Sequence, residues 1–332
     1  MVFLLFIAEY FNDLDKEADA LIMGSKAPST WTKYNASFRR FEIWTARLKL
    51  KSLPATPETV IRFLADLSRE KRSVNVISTA FCAISSKHIL NGFENPCKDA
   101  RVKALCEGAK RKFFRPQRQC KPRTAQILND IVEKKLGKRL KDGSLRDWRT
   151  VWLAVISFRC CARYDDIARL RIQDFTFRNE FMLVHFKSRK NDQKGEGHTA
   201  EVTRSSAGTC VIDISKRYFK KLRREGSKET DFALPRMDRL VNGRFKTYFS
   251  QAASHNSCRL PFLSVLSDVG VDPGGYGLHS GKVGGVIALR NGGLSWRTLC
   301  DYVGWAPKSV MPERYAKAAR KPSEKIGKLL SL

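Results

Sequence analysis

A basic stretch that contains two prolines constrains the architecture of this chain more than any other feature. Residues 110–123 read KRKFFRPQRQCKPR, so positive charge is concentrated where Pro116 and Pro122 interrupt regular structure. Proline fixes the backbone and removes a hydrogen-bond donor, which ends helices and favours an extended connection. A length of 332 residues also fits two domains better than one. We therefore expect two folded units on either side of this stretch.

The segment before the basic stretch has the periodicity of α-helices. A start signal at residues 28–30 precedes an aromatic stripe at three- and four-residue spacing, formed by Trp31, Tyr34, Phe38, Phe41 and Trp44. Such a stripe is more often the buried face of a helix than a platform for stacking bases. Further helices are expected after residue 56, through residues 76–88 and through residues 102–109. This unit is predicted to be all helical.

The segment after the basic stretch combines helices with a short hairpin. Helices are predicted at 124–136, 148–161, 212–224 and 242–254. Residues 181–186 alternate like a strand, and residues 199–203 can pair back in antiparallel fashion after a turn at 194–197. The predicted fold class is mainly α with a small antiparallel β-sheet (α+β).

Composition and charge indicate the kind of partner. The chain carries 62 Lys and Arg against 33 Asp and Glu, a formal net charge of +29. This excess is typical of proteins that bind a polyanion. A membrane span is not expected, because no stretch approaches about 18 uninterrupted apolar residues. The nine scattered cysteines lack C-x-x-C pairs and indicate reduced thiols of an intracellular protein.

The N-terminal residues invite comparison with a secretion signal. The apolar run at 2–8 has no basic residue before it and no small-residue cleavage site after it, and acidic residues follow at positions 9, 13 and 15. We expect instead a short helix that packs on a partner or on the body of the protein.

One segment near the C-terminus gathers side chains that can act together on a phosphate: His279, Lys282, Trp305 and Tyr315. A tyrosine hydroxyl has a free pKa of about 10 and needs cationic and hydrogen-bonding neighbours to attack at neutral pH. A nucleotide-binding P-loop is excluded, because Val283 stands where that motif requires Ser or Thr. Two interpretations stand at this point, a glycine-rich loop beside packed aromatic residues or a site for phosphate chemistry.

Two boxes in the order expected for one family favour the second interpretation. LHSGKVGG at 278–285, followed by Gly304-Trp305 and Tyr315, resembles the second catalytic box of the tyrosine recombinases (phage-integrase family). The look is closest to recombinases of eukaryotic DIRS- or Crypton-like mobile elements. Upstream, CARYDDIARL at 161–170 resembles the first box. The resemblance spans roughly residues 25–320 and is sharpest in these boxes.

The resemblance implies a DNA recombinase or integrase that cleaves and rejoins strands through a 3′-phosphotyrosine intermediate. Tyr315 would be the nucleophile, and a lysine on the hairpin would protonate the departing 5′ oxygen, either Lys190, which fits the family pattern better, or Lys187. The implied catalytic residues are Arg163, Asp166, Lys190, His279, Lys282, Trp305 and Tyr315. The covalent link retains the bond energy, so no metal, nucleotide or other cofactor is expected.

The resemblance also implies the partners and the domain order. Double-stranded DNA would be held by a helical core-binding domain and by the basic stretch, through Lys110, Arg111, Lys112, Arg115, Arg118, Lys121 and Arg123. A solvated basic turn or a nuclear-import signal is the alternative interpretation of that stretch. The predicted parts are an N-terminal helical extension (1–24), the core-binding domain (25–110), a basic linker (111–123), the catalytic domain (124–318) and a tail (319–332). We expect the tail to join subunits of a tetramer on paired DNA sites, and an intracellular location that is nuclear if the host is eukaryotic.

Two departures from the family pattern leave other functions open. The usual His-x-x-Arg is His279-x-x-Lys282 here, and ten positions rather than the commoner nine separate Trp305 from Tyr315. A catalytically lapsed, domesticated DNA-binding protein would tolerate both changes. A type IB topoisomerase shares the chemistry, and relaxation of supercoils without strand exchange would distinguish it.

Overall fold

The chain divides into two compact units, residues 1–117 and 118–332. The computed structural model describes residues 2–114, 119–141, 143–187, 189, 196–205, 209–306, 309–311 and 315, with side chains from residue 9 onward. The division between the units falls between residues 117 and 118, within the basic stretch. Of the predicted tail, residues 319–332 lie outside the described residues.

The N-terminal unit is helical, as predicted. Its helices are α1 (Val2–Gly24), α2 (Pro28–Arg47), α3 (Pro57–Arg69), α4 (Val74–Leu90) and α5 (Ala100–Lys112), with a 3₁₀ turn at Pro96–Lys98. The aromatic stripe of α2 faces the core. There the ring centroid of Phe63 lies 5.0 Å from that of Phe41 and 5.4 Å from that of Trp44. The prediction that the stripe is core rather than a base-stacking platform is confirmed.

Helix α1 differs from the short docked helix that the sequence predicted. It is 23 residues long, and every side chain from residue 9 to residue 24 is exposed. The described side chains of α1 are therefore not buried against the body of the protein, and packing on a partner stays a prediction. No helix in the described part of the chain, α1 included, combines the length and the apolar character needed to cross a membrane.

The second unit is built around one buried helix. Its helices are α6 (Ala125–Leu136), α7 (Leu145–Arg159), α8 (Tyr164–Ala168), α9 (Val211–Arg224), α10 (His255–Asp268), α11 (Ser280–Asn291) and α12 (Trp296–Val303). Helix α7 starts with a capping box between Ser144 and Asp147 and is buried continuously from Trp148 to Ser157. Because α7 is enclosed by its neighbours, the turn that follows it has a rigid support.

Two small antiparallel sheets complete the second unit. Strands β1 (Phe175–Phe177), β2 (Phe181–Phe186) and β3 (His198–Thr203) form a meander in which Val184 pairs with Ala200. Strands β4 (Pro235–Arg239) and β5 (Phe245–Ala252) form a separate hairpin. The β2–β3 hairpin confirms the prediction, and the fold class is mainly α with small antiparallel sheets.

The helix predicted at 242–254 is wrong. Aromatic residues at 245, 248 and 249 imitate helical spacing, but this segment is rich in residues that favour strands and forms β5. Pairing with β4 satisfies its backbone groups, which overrides the local pattern.

The basic stretch is not one continuous connection. Lys110, Arg111 and Lys112 lie exposed in the last turn of α5, while Lys121 and Arg123 belong to the second unit. Arg115 and Arg118 lie outside the described residues.

Arg123 corrects one predicted DNA contact. Its side chain is 1% exposed, donates from Nη1 to the Ala154 carbonyl at 2.8 Å, and stacks 4.4 Å over the ring of Phe262. A guanidinium enclosed in this way cannot reach a DNA phosphate, so Arg123 supports the fold instead.

Candidate active site

The first box forms a rigid turn directly after α7. Cys161 adopts a left-handed backbone conformation with φ of 46°, which is strained for a residue other than glycine. Arg163 then stands at the N-terminus of α8, and its backbone N–H donates to Asp166 Oδ2 at 3.1 Å. Asp166 is buried, whereas Arg163 is half-buried. The carboxylate thus fixes the backbone from which the guanidinium projects.

The second box is a helix rather than a glycine-rich loop. His279 caps α11, and Lys282 lies in the first turn. A Cβ at Gly284 would lie 1.9 Å from the Arg123 carbonyl oxygen, and one at Gly285 would lie 2.1 Å from the Phe158 carbonyl oxygen. The glycines therefore allow α11 to approach the backbone of its neighbours closely. This packing holds the start of α11 beside the first box.

Tyr315 meets the second box across a long stretch of sequence. Its hydroxyl lies 3.1 Å from His279 Nε2, and its ring stacks on Trp305 with centroids 5.5 Å apart and planes 16° apart. The ammonium of Lys282 lies 5.1 Å from the centroid of the Trp305 ring. Four residues predicted to act together therefore form one cluster.

Burial controls the protonation of this cluster. Desolvation, helped by the nearby Arg163 guanidinium, lowers the pKa of Lys282 to about 7. Burial, with contributions from Lys282 and Arg163, also lowers the pKa of His279 below its ordinary value. Burial raises the pKa of Tyr315 to about 12, although Arg163 opposes the change. In the absence of an anion, the imidazole is neutral and the phenol protonated near pH 7.

Several donors in the cluster have no partner. The Trp305 indole N–H is buried without a hydrogen bond, and among the described residues no carboxylate lies within ion-pairing distance of the Lys282 ammonium. Nor does the Arg163 guanidinium make a hydrogen bond or ion pair within those ranges. A buried donor without an acceptor is costly. The arrangement is suited to an anion that accepts from several donors at once.

Of the two lysine candidates on the hairpin, the structure describes Lys187. Lys187 follows β2 directly and forms an ion pair with the buried carboxylate of Asp174, with Nζ to Oδ1 at 3.2 Å. Lys190 lies outside the described residues. The preferred residue is therefore still a prediction, while its rival is occupied by a structural contact.

Two residues in this region received no role from the sequence. Arg189 is 7% exposed, and its Nη1 donates to the Val303 carbonyl oxygen at 2.5 Å. His198 Nε2 lies 3.2 Å from the Tyr302 carbonyl oxygen. Both come from the loop end of the β2–β3 hairpin and contact the end of α12. The sequence signal is weak, since Arg189 is one of several cations in a basic run.

The chain is similar in sequence to a curated protein. The "Integrase/recombinase xerD homolog" of Selenomonas ruminantium is 27% identical over 212 residues, which cover 62% of this chain and 60% of that protein. The chain thus matches about three fifths of the length of this curated relative. No protein-family model matches the chain.

Solved structures share the fold at low sequence identity. The XerH site-specific recombinase bound to palindromic difH substrate has a TM-score of 0.55 at 13% identity, over 83% of this chain and 72% of that one. The Tn1549 transposon integrase with transposon right-end DNA has a TM-score of 0.55 at 12% identity, over 92% and 93%. A lambda integrase(75–356) dimer bound to a COC′ core site has a TM-score of 0.55 at 13% identity, over 93% and 95%.

None of these proteins tests the predicted affinity to DIRS- or Crypton-like elements, which stays a prediction. The fold of the two units, the sequence match and the two boxes agree on the broader group. This chain has the fold of the tyrosine recombinases named above and is similar in sequence to an integrase/recombinase.

Proposed function

We propose that the chain is a site-specific DNA recombinase or integrase that cleaves and rejoins DNA through a 3′-phosphotyrosine intermediate. One observation carries the proposal: the hydroxyl of Tyr315 lies 3.1 Å from His279 Nε2 in a cluster with the cations Arg163 and Lys282. The named recombinases with the same fold were solved with DNA. The net charge of +29 also supports DNA as the substrate.

The proposed cleavage step transfers one phosphoryl group. The Tyr315 oxygen attacks the phosphorus, the bond from phosphorus to the 5′ oxygen breaks, and a 3′-phosphotyrosyl link forms. Neutral His279, in the tautomer protonated on Nδ1, can accept the hydroxyl proton at Nε2. The leaving 5′ oxygen takes a proton from a lysine and departs as a hydroxyl, and the reverse reaction rejoins the strand.

The cationic residues act on the developing charge. Arg163 can present a planar fork to two nonbridging oxygens, while Lys282 and the Trp305 N–H supply single donors. Because Lys282 and Trp305 are buried before the reaction, little reorganisation of these donors is needed when charge develops. Asp166 orients the turn that carries Arg163.

We assign the general acid to Lys190 in preference to Lys187. The ion pair of Lys187 with Asp174 at 3.2 Å supports this assignment, because it holds the Lys187 ammonium on a buried carboxylate of the protein itself. Replacing each lysine with methionine in separate variants tests the choice. Loss of cleavage in the Lys187 variant alone would reverse it.

The proposed assembly is a homo-oligomer, a tetramer on paired DNA sites, joined through the tail at 319–332. The exposed Lys110, Arg111 and Lys112 are proposed to contact phosphates, together with Arg115, Arg118 and Lys121. We further propose that the protein belongs to a mobile element and acts in the nucleus if its host is eukaryotic. Measuring the mass of the protein with and without its DNA site tests the assembly.

Nicked suicide substrates, made from the DNA that flanks its coding sequence, test the proposed function directly. Release of a short strand beside the nick prevents rejoining, so a covalent protein–DNA adduct should accumulate and migrate slowly in a denaturing gel. Binding without any adduct would favour the lapsed DNA-binding protein. Relaxation of supercoiled plasmid without exchange of strands would favour the topoisomerase.

A further inference from the structure

Two side chains at the loop end of the β2–β3 hairpin contact the last turn of α12. Arg189 Nη1 donates to the carbonyl oxygen of Val303 at 2.5 Å, and His198 Nε2 lies 3.2 Å from the carbonyl oxygen of Tyr302. Burial lowers the pKa of His198 to about 4, so the imidazole is neutral near pH 7. Since its partner is a carbonyl oxygen, Nε2 carries the proton and donates. We call this pair of side chains the hairpin latch.

The contact suits the end of a helix. The last carbonyl groups of a helix have no partner within it and carry partial negative charge, so a cation or N–H donor placed there is stabilising. Helix α12 ends at Val303, and the next residue, Gly304, has a left-handed backbone with φ of 68°. A Cβ there would lie 2.9 Å from His198 Cγ and 3.0 Å from Arg189 Nη1. The loop end of the hairpin therefore packs directly against the C-terminal end of α12.

Burying the Arg189 guanidinium has a desolvation cost that one hydrogen bond offsets poorly. Its guanidinium is buried, lies 3.9 Å from the centroid of the Phe186 ring, and keeps Nε and Nη2 without partners among the described residues. Burial lowers its pKa, and the nearby Asp166 carboxylate opposes this. Burying an incompletely paired cation lowers stability. An apolar residue would serve packing better, which points to a role beyond packing.

The latch lies between two parts of the proposed catalytic machinery. Two positions after Val303 comes Trp305, whose ring stacks on Tyr315. Directly after Arg189 in the chain comes Lys190, the proposed general acid. Since the hairpin and the nucleophile segment have to act on opposite sides of one phosphorus atom, their relative position must be fixed within about 1 Å.

We propose that Arg189 is a positioning residue that, with His198, fixes the general-acid hairpin relative to the Trp305–Tyr315 segment. This inference rests on the proposed function of the site. Arg189 itself touches neither the phosphate nor the leaving oxygen. Its replacement should therefore affect the proton delivered to the 5′ oxygen and spare the attack by the tyrosine.

A change of leaving group tests this distinction. In a DNA with sulfur in place of the bridging 5′ oxygen, the leaving group is a thiolate, and thiols ionise with a pKa of about 8.5, so no general acid is needed. We expect Arg189→Met to slow cleavage of the oxygen substrate by about 10- to 100-fold, part of the usual contribution of a general acid. Cleavage of the sulfur substrate should stay within about threefold of the natural protein, because attack by Tyr315 is intact.

The matched control is Arg204→Met. Arg204 follows β3 at the far end of the same strand, where it pairs with Asp213 at 2.9 Å. The Arg204→Met variant should cleave both substrates at the rate of the natural protein when the protein is in excess over DNA. Arg189→Lys, which retains the charge and one donor, should restore part of the rate on the oxygen substrate.

Equal reductions in rate on the two substrates would overturn the proposal, because they would place Arg189 at the phosphate or in general folding. Unchanged rates on both would overturn it as well. If the natural protein forms no adduct with either substrate, the proposed function fails, and the latch is then judged by hydrogen exchange. Arg189→Met, or Arg189→Lys if the former does not fold, should raise amide exchange together in β2, β3 and residues 303–305. Unchanged exchange there would overturn the latch.

Discussion

The imidazole Nε2 of His279 and the hydroxyl oxygen of Tyr315 lie 3.1 Å apart, although 36 positions separate them in the chain. This contact joins the start of α11 to the C-terminal segment. It gives the tyrosine a neutral proton acceptor, while Arg163 and Lys282 supply positive charge nearby.

Tyr315→Phe should abolish the covalent adduct and leave DNA affinity nearly unchanged, because the variant loses one hydroxyl and no charge. Adduct formation on suicide substrates and binding to intact DNA measure the two effects. The control is Tyr302→Phe, which removes a 2.7 Å hydrogen bond to the Arg159 carbonyl oxygen and should cost about 1 kcal/mol of stability without stopping cleavage. An adduct that persists in Tyr315→Phe would identify another nucleophile.

Lys282→Met should slow cleavage by about 10²–10³-fold, the usual cost of losing one preorganised donor to the transition state. Methionine retains much of the apolar stem of the buried lysine, so folding should be preserved. Lys282→Arg should cleave at least as fast as the natural protein, because a guanidinium can hold two oxygens. Single-turnover rates of adduct formation measure both, and equal rates in all three proteins would remove Lys282 from the phosphate.

DNA binding should take up a proton near neutral pH. In the free protein the pKa of Lys282 is lowered to about 7, and a bound phosphate favours the charged ammonium and raises it again. The protonated form therefore binds more tightly, so affinity should be highest below pH 7 and fall as pH rises above 7, by up to about tenfold per pH unit.

Titration calorimetry in buffers of different ionisation enthalpy measures this uptake. Lys282→Arg, which stays charged throughout, is the control and should remove the dependence above pH 7. A natural protein whose affinity is constant from pH 6.5 to pH 8.5 would show that no phosphate approaches the Lys282 ammonium.

Neutralising Lys110, Arg111 and Lys112 with glutamine should weaken binding to all DNA sequences alike, because phosphates carry no sequence information. The slope of log affinity against log salt should become shallower by about 0.9 for each phosphate that the variant no longer neutralises. Arg123→Gln is the contrast: it should lower the unfolding free energy and leave the salt slope unchanged. An unchanged slope in the triple variant would show that the end of α5 does not contact DNA.

Gly284→Ala should destabilise the second unit by about 3 kcal/mol or more, because its Cβ would lie 1.9 Å from the Arg123 carbonyl oxygen and the backbone would have to move. Gly108→Ala is the matched change in α5, where nothing lies within 4 Å of the added atom. That change should stabilise the first unit by up to about 1 kcal/mol. Denaturant unfolding measures both changes. A Gly284→Ala variant as stable as the natural protein would mean that α11 can move away from the Arg123 backbone without cost.

The sequence by itself determined the features that depend on local pattern. The aromatic stripe from Trp31 to Trp44 predicted a helix and its buried face, because the apolar period matches the helical repeat. Alternation at 181–186 predicted β2 for the corresponding reason. The resemblance of the second box to that of the tyrosine recombinases grouped His279, Lys282, Trp305 and Tyr315, whereas their residue types alone left a packed glycine-rich loop as an alternative.

The tertiary structure decided which arginines of the basic runs became buried. Arg123 and Arg189 lie in cationic runs with no local signal that separates them from their exposed neighbours, and only packing against α7 and α12 enclosed them. Strand β5 depended on its partner β4 in the same way. Burial and pairing join residues far apart in the chain, and a local pattern records what one segment prefers but not which distant segment will cover it.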